Sequence, residues 1–131
     1  MPKFVVEGGH QLKGSVRPAG NKNAALPMIA AALLTDEEVV LENVPDIRDV
    51  RTLLDLLQTL GAETEWFGAP SVRIHAREGG HAQLAASQAS RIRASILLAG
   101  RMVARTGEMH LPPPGGDVIG RRRMDTHFLA L

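Results

Sequence analysis

With 131 residues, 44% of them hydrophobic, the chain is long enough to bury one core and too short for two ordinary domains. Its net charge of +1 comes from 15 basic and 14 acidic side chains spread along the length. That argues against a nucleic-acid surface or a polybasic membrane patch, with Arg121-Arg122-Arg123 the one local cluster. The absence of cysteine excludes disulfides, thiolate metal sites and thiol nucleophiles, and the five histidines lack metal-ligand spacing, so no metal and no cofactor are expected.

No basic segment leads into an apolar stretch at the N-terminus, and no apolar run approaches the roughly 20 residues that span a bilayer, so the expected setting is cytoplasmic. Phe4-Val5-Val6 and residues 12–16 read as two short strands around a Gly8-Gly9 turn, a hairpin ended by Pro18 and Gly20. A helix follows over residues 21–34. From Met28 to Leu34 it is apolar on every face, which predicts enclosure by protein. Residues 38–41 read as a strand closed by Asn43-Val44-Pro45. Asp46 then precedes Ile47, Val50, Leu53, Leu54, Leu57 and Leu60, an N-cap and an apolar helical stripe stopped by Gly61. Residues 63–66 and 71–75 form a predicted hairpin with Val72 and Ile74 on one face. After a polar linker over 77–81, a long helix is expected over 85–104, a strand over 108–111, and a last helix over 124–131.

This order suggests a repeated helix-strand-helix-hairpin unit. Laying Ala24 on Ala94 carries Leu26 onto Ile96, Met28 onto Leu98, Leu33 onto Val103, Val39 onto Met109 and Leu41 onto Leu111. The last helix stops without a cap, a Gly or a polar tail, which reads as a truncated chain.

Two loops carry chemistry. In Gly20-Asn21-Lys22-Asn23-Ala24-Ala25-Leu26-Pro27 an ammonium and two carboxamides stand where a loop becomes a helix, and the unpaired N–H groups and dipole of that helix start suit an anion. A plain Asn cap with Lys22 in solvent fits the same residues. Further on, Pro112-Pro113-Pro114-Gly115-Gly116-Asp117-Val118-Ile119-Gly120-Arg121-Arg122 is a rigid turn, a flexible loop and a cationic segment. Gly115 and Gly120 have the spacing of a phosphate loop, but Arg121 and Arg122 stand where that motif needs Lys and then Ser or Thr, so a nucleotide triphosphatase is not expected.

The first of these strings resembles the first substrate-binding segment of the UDP-N-acetylglucosamine enolpyruvyl transferases. The second, continued through Arg123-Met124-Asp125-Thr126-His127, is similar to their Leu-Pro-Gly-Gly-Cys-x-Ile-Gly-x-Arg-x-x-Asp-x-His loop. Arg91-Ile92-Arg93-Ala94-Ser95-Ile96 resembles their Met-Arg-Ala-Ser-Ile segment, and Asn43-Val44-Pro45 and Leu60-Gly61-Ala62 match as well, so the likeness runs in order through essentially the whole chain. Two positions depart from the pattern: Asp117 replaces the usual cysteine, and Arg48 stands where lysine is common.

The resemblance implies an α/β fold, part of an inside-out barrel of repeated helix-strand-helix-hairpin units, with substrates bound between two such domains. Residues 1–20 are then an N-terminal hairpin packing with a missing C-terminal domain, and 21–131 an incomplete first domain with little activity alone. The implied reaction transfers the enolpyruvyl group of phosphoenolpyruvate to the 3-hydroxyl of UDP-N-acetylglucosamine and releases phosphate, the first committed step of peptidoglycan synthesis. In it Asp117 is the proton donor, Lys22 and Arg122 hold the phosphate and carboxylate of phosphoenolpyruvate, and Asn23 and Arg93 contact the sugar nucleotide. Arg122, Arg123, Met124, Asp125 and Thr126 correspond to the uridine-binding segment, with Asp125 foremost. A carboxylate is a weak nucleophile toward an epoxide, so insensitivity to fosfomycin is expected. Three alternatives stay open: an enolpyruvylshikimate-phosphate synthase-like transferase, a non-catalytic sugar-nucleotide-binding paralogue, and an α/β interaction module without substrate.

Overall fold

A computed structural model describes residues 2–68, 70–77, 83–116 and 123–130. Helix α1 spans Lys22–Ala31 and tightens into a 3-10 turn over Ala32–Leu34. Asn21 caps it, its side-chain oxygen accepting the Asn23 backbone N–H at 2.8 Å. Pro27 is the sixth helical residue and lacks the N–H that would bond the Asn23 carbonyl; that carbonyl lies in the exposed first turn, where solvent is at hand. Strand β1 is Glu38–Leu41 and helix α2 is Arg48–Thr59.

The expected Asp46 cap of α2 does not form. Ile47 holds the N-cap position without a side-chain bond, because the Asp46 carboxylate turns to the Arg51 guanidinium instead, at 2.5 and 2.6 Å. The other end behaves as its glycine predicts. Gly61 has φ +92, its N–H donates to Gln58 O and that of Ala62 to Leu57 O, the two bonds of a Schellman cap. Strands β2 (Glu63–Trp66) and β3 (Val72–His75) pair antiparallel with Trp66 opposite Val72 and Glu63 opposite His75; β1 pairs antiparallel on the other edge of β3, giving the order β1-β3-β2.

The period-two alternation of β3 turns Val72 and Ile74 inward, both fully buried, and Arg73 outward between Glu38 and Glu65. Against the inner face pack Val50, Leu53, Leu57 and Leu60 of the α2 stripe, with Ile29 and Leu33 from α1 and its 3-10 turn. Each side chain of this size contributes about 1.5–3 kcal/mol by leaving water. Arg105 ties the layers together: its Nη1 donates to the carbonyls of Leu33, Thr35 and Ala76 at 3.0 to 3.2 Å.

Three expectations are corrected. The helix over 85–104 is broken into α3 (Ala86–Ala89), a 3-10 segment (Arg93–Leu97) and α4 (Leu98–Thr106). The break has a cause: Ile92 goes extended (φ −151, ψ 139) to drive its side chain into the core, and the Ala89 carbonyl accepts the buried Ser95 hydroxyl at 3.0 Å and the Gly115 N–H at 3.3 Å. Residues 108–111 make a single parallel bridge, His110 to Gln83, so the second unit of the suggested repeat has no matching strand among the described residues, although Met109 and Leu111 still pack on the core. Residues 2–20 form no hairpin. Phe4 is 96% and Leu12 95% exposed, and a two-stranded ribbon with nothing to cover its apolar side is marginal at best in water.

Enclosure of α1 is also incomplete. Ala25, Leu26, Ile29 and Ala30 are buried, but Ala24, Pro27, Met28, Ala31 and Leu34 are exposed. Helix α5 (Asp125–Ala130) closes the described chain and buries nothing.

Candidate functional site

Two α-helix starts and the start of the 3-10 segment meet at one cleft of about 710 Å3. From α1 come Lys22 and Asn23, from α2 Arg48 and Asp49, and from the break after α3 come Arg91 and Arg93; Leu26, Ile92 and Leu97 form its apolar floor. Four cations and one carboxylate thus line a concavity toward which two helix dipoles present their positive ends, an arrangement that attracts anions.

Local chemistry sets each position. Lys22 is held where it is by Gly20: a Cβ there would lie 1.8 Å from the Asn43 carbonyl oxygen and 2.9 Å from Pro45 Cδ, so only glycine lets the loop pass. Asn43 itself has φ +56, and the Val44 N–H donates to Pro70 O at 2.9 Å, fixing the strip against which that loop lies. Arg91 and Arg93 flank the extended Ile92, past the end of α3, and both line the cleft. Gly115 seals this break from the far side, since a Cβ there would meet Ser90 O at 1.6 Å.

The polar side chains are ordered by pairs. The Lys22 ammonium donates to Asp49 Oδ2 at 2.7 Å, with half of one side chain and 42% of the other in solvent. Arg91 faces Asp55 at 3.6 Å. An arriving phosphate or carboxylate would share Lys22 with Asp49, a moderate demand because an ion pair this exposed is worth only about 0.2–1 kcal/mol.

Lys22, Asn23 and Arg93, singled out from the sequence, lie around this one cleft. Asp117 and Arg122 lie outside the described residues. Arg123, Met124, Asp125 and Thr126 are not among the lining residues; Arg123 Nε donates to Asp125 Oδ2 at 2.8 Å at the solvent-exposed start of α5. Sequence reasoning gave no role to Asp49 and none to Arg91. Asp49 stands 27 positions from Lys22, and no spacing rule joins them. Among the described residues no group of His, Asp or Glu could hold a metal, and no helix is long and apolar enough to cross a membrane.

A family model described as EPSP synthase (3-phosphoshikimate 1-carboxyvinyltransferase) matches residues 6–131. The UDP-N-acetylglucosamine 1-carboxyvinyltransferase of Bradyrhizobium diazoefficiens is 60% identical over 129 residues, covering 98% of this chain and 30% of its own. That of Treponema pallidum is 50% identical over 131 residues, covering all of this chain and 31% of its own. Among solved structures, the enolpyruvyl transferase NikO from Streptomyces tendae matches with TM-score 0.64 and 33% identity over 76% of this chain and 23% of that one. The chain therefore spans about 30% of the length of the curated relatives it matches.

Proposed function

Because the chain belongs to the EPSP synthase family, we propose that it forms part of a cytoplasmic transferase that moves the enolpyruvyl group of phosphoenolpyruvate to the 3-hydroxyl of UDP-N-acetylglucosamine in peptidoglycan synthesis. The observation that supports this most directly is the cleft where Lys22, Arg48, Arg91 and Arg93 surround two helix starts, since both substrates are polyanions. The relatives named for this sugar nucleotide favour it over shikimate phosphate as acceptor.

The reaction is an addition followed by an elimination. The sugar 3-hydroxyl attacks C2 of phosphoenolpyruvate as the C3 methylene takes a proton, giving a tetrahedral phospho-ketal. Loss of a C3 proton and of phosphate then restores the double bond. Lys22, a compact charge, and Arg122, a planar fork, hold the phosphate and carboxylate, and their cationic charge favours electron flow toward the departing phosphate. Asn23 hydrogen-bonds the sugar nucleotide, Arg93 reaches its diphosphate, and Arg123, Met124, Asp125 and Thr126 take the uridine side.

Asp117 gives its proton to C3, so it must be protonated when substrate is bound. A free aspartate has a pKa of about 3.9 and the neighbouring arginines would lower it. Phosphoenolpyruvate resolves the conflict: its anionic groups neutralise those arginines, and exclusion of water raises the carboxyl pKa further. The base for the sugar hydroxyl and the opposite wall of the cleft belong to the remainder of the longer protein, so the 131-residue chain alone is expected to be inactive.

Phosphate release by the full-length protein tests the reading. Release that needs both UDP-N-acetylglucosamine and phosphoenolpyruvate supports it. Dependence on shikimate 3-phosphate would reassign the acceptor, and binding of the sugar nucleotide without turnover would make the protein a silent paralogue.

A further inference from the structure

Lys22 stands where its own surroundings repel it. It opens α1, a helix with no acidic residue in its first turn, so its ammonium meets the positive end of the α1 dipole, and Arg48, Arg91 and Arg93 line the same cleft. Arginine presents a planar, pre-organised fork, whereas lysine ends in a point charge on a flexible four-carbon stem. Half of the Lys22 side chain is in solvent, so the field of the cleft acts to swing the ammonium outward, away from an arriving anion.

One carboxylate opposes this. Asp49 is the only acidic side chain among the described lining residues, and its Oδ2 accepts from Lys22 Nζ at 2.7 Å. The pair joins the first turn of α1 to the first turn of α2 across 27 positions of sequence, so it forms only when the two helix starts have come together. An ammonium carries three donors, which lets Lys22 keep Asp49 and bind an anion oxygen at the same time. Asp49 does not reverse the attraction: four cations and one carboxylate leave the described lining with a net charge of +3.

We propose that Asp49 is a positioning residue: it holds the Lys22 ammonium inside the cleft before substrate arrives, so that phosphoenolpyruvate meets a cation already in place. The inference rests on reading this cleft as the phosphoenolpyruvate site, and adds the group that orders it. Asp49 does not touch the reacting atoms and acts through Lys22. A carboxylate in the first turn of α2 also suits the dipole of that helix, which has no side-chain cap, so a role confined to the stability of α2 is the competing account.

A double-mutant cycle in the full-length protein separates the two. Phosphoenolpyruvate is titrated calorimetrically into the parent, Asp49→Asn, Lys22→Met and the double variant, each holding the 3-deoxy analogue of UDP-N-acetylglucosamine, which has no hydroxyl to receive the enolpyruvyl group and so permits binding without turnover. Asp49→Asn is expected to raise Kd roughly 5-fold, the usual cost of ordering one long side chain on binding. In the Lys22→Met background the same substitution is expected to change Kd less than about twofold. An Asp49→Asn protein that binds phosphoenolpyruvate as tightly as the parent or more tightly, or a loss of equal size in both backgrounds, overturns the proposal. Phosphate release with the authentic sugar nucleotide is measured on the parent alongside. No release with phosphoenolpyruvate still bound refutes the reaction and leaves the cycle to decide the role of Asp49, whereas a parent that binds no phosphoenolpyruvate overturns both.

Discussion

Replacing Gly20 with alanine is expected to damage stability and catalysis together. The added methyl would stand 1.8 Å from the Asn43 carbonyl oxygen and 2.9 Å from both Asn43 C and Pro45 Cδ. A carbon and a carbonyl oxygen rest at about 3.3 Å, so the loop must retreat by roughly 1.5 Å. Neither neighbour can swing away, because one is backbone held at a positive φ and the other is a proline ring. Overpacking of this kind costs about 1–3 kcal/mol, and the rigid surroundings put Gly20→Ala at the upper end, a fall in Tm on the order of 10 °C. Lys22 lies two residues further on. Its displacement by about 1 Å is expected to reduce kcat/KM for phosphoenolpyruvate by roughly 100-fold in the full-length protein. Differential scanning calorimetry and a phosphate-release assay read the two effects, with Gly8→Ala, where nothing lies within 4 Å, as the neutral control. A Gly20→Ala protein with Tm within 1 °C and kcat/KM within twofold of the parent, margins of about the size expected for an untouched surface site, would refute the reasoning.

Asp117→Asn keeps the side-chain shape and removes the proton, so turnover in the full-length protein should fall at least about 100-fold, whereas an unaltered rate would end its role as acid. Fosfomycin should leave the enzyme active and Asp117 unmodified by mass spectrometry, since a carboxylate attacks an epoxide poorly; irreversible inactivation with an adduct on Asp117 would contradict this. Lys22→Met should raise KM for phosphoenolpyruvate and weaken its salt dependence, and an unchanged KM would remove Lys22 from the anion site. Leu57→Ala, at a fully buried position that also closes the α2 cap, should cost about 3 kcal/mol by chemical denaturation, and a loss under 1 kcal/mol would misplace it in the core.

Periodicity revealed those elements that bury a face within the chain itself. The stripe from Val50 to Leu60, the alternation of Val72 and Ile74 and the strand over Glu38–Leu41 all fold as their patterns require. Failures occur where a partner or a competing bond decides. Residues 4–6 and 12–16 read as two short strands, yet no described element covers them. The segment 85–104 has a helical composition without Gly or Pro before Gly100, and its break at Ile92 comes from a core position and the Ala89 carbonyl, which no local propensity encodes. Asp46 reads as a cap from its place before the stripe, and fails as one because Arg51, five residues on, takes its carboxylate. At the site, Lys22 and Asn23 were marked by the loop that becomes a helix there, and Arg93 by the resemblance of its segment; all three line one cleft. The Lys22–Asp49 pair and the place of Arg91 were not legible, since both depend on how α1, α2 and the broken helix come together.

A crystal structure of the full-length protein with UDP-N-acetylglucosamine and phosphoenolpyruvate bound tests the central claim most directly. The account predicts a phosphate or carboxylate oxygen of phosphoenolpyruvate within about 3 Å of Lys22 Nζ, with Arg122 on the same anion and the Asp117 carboxyl facing its C3 carbon. Phosphoenolpyruvate held elsewhere, with Lys22 still closed on Asp49, would contradict it.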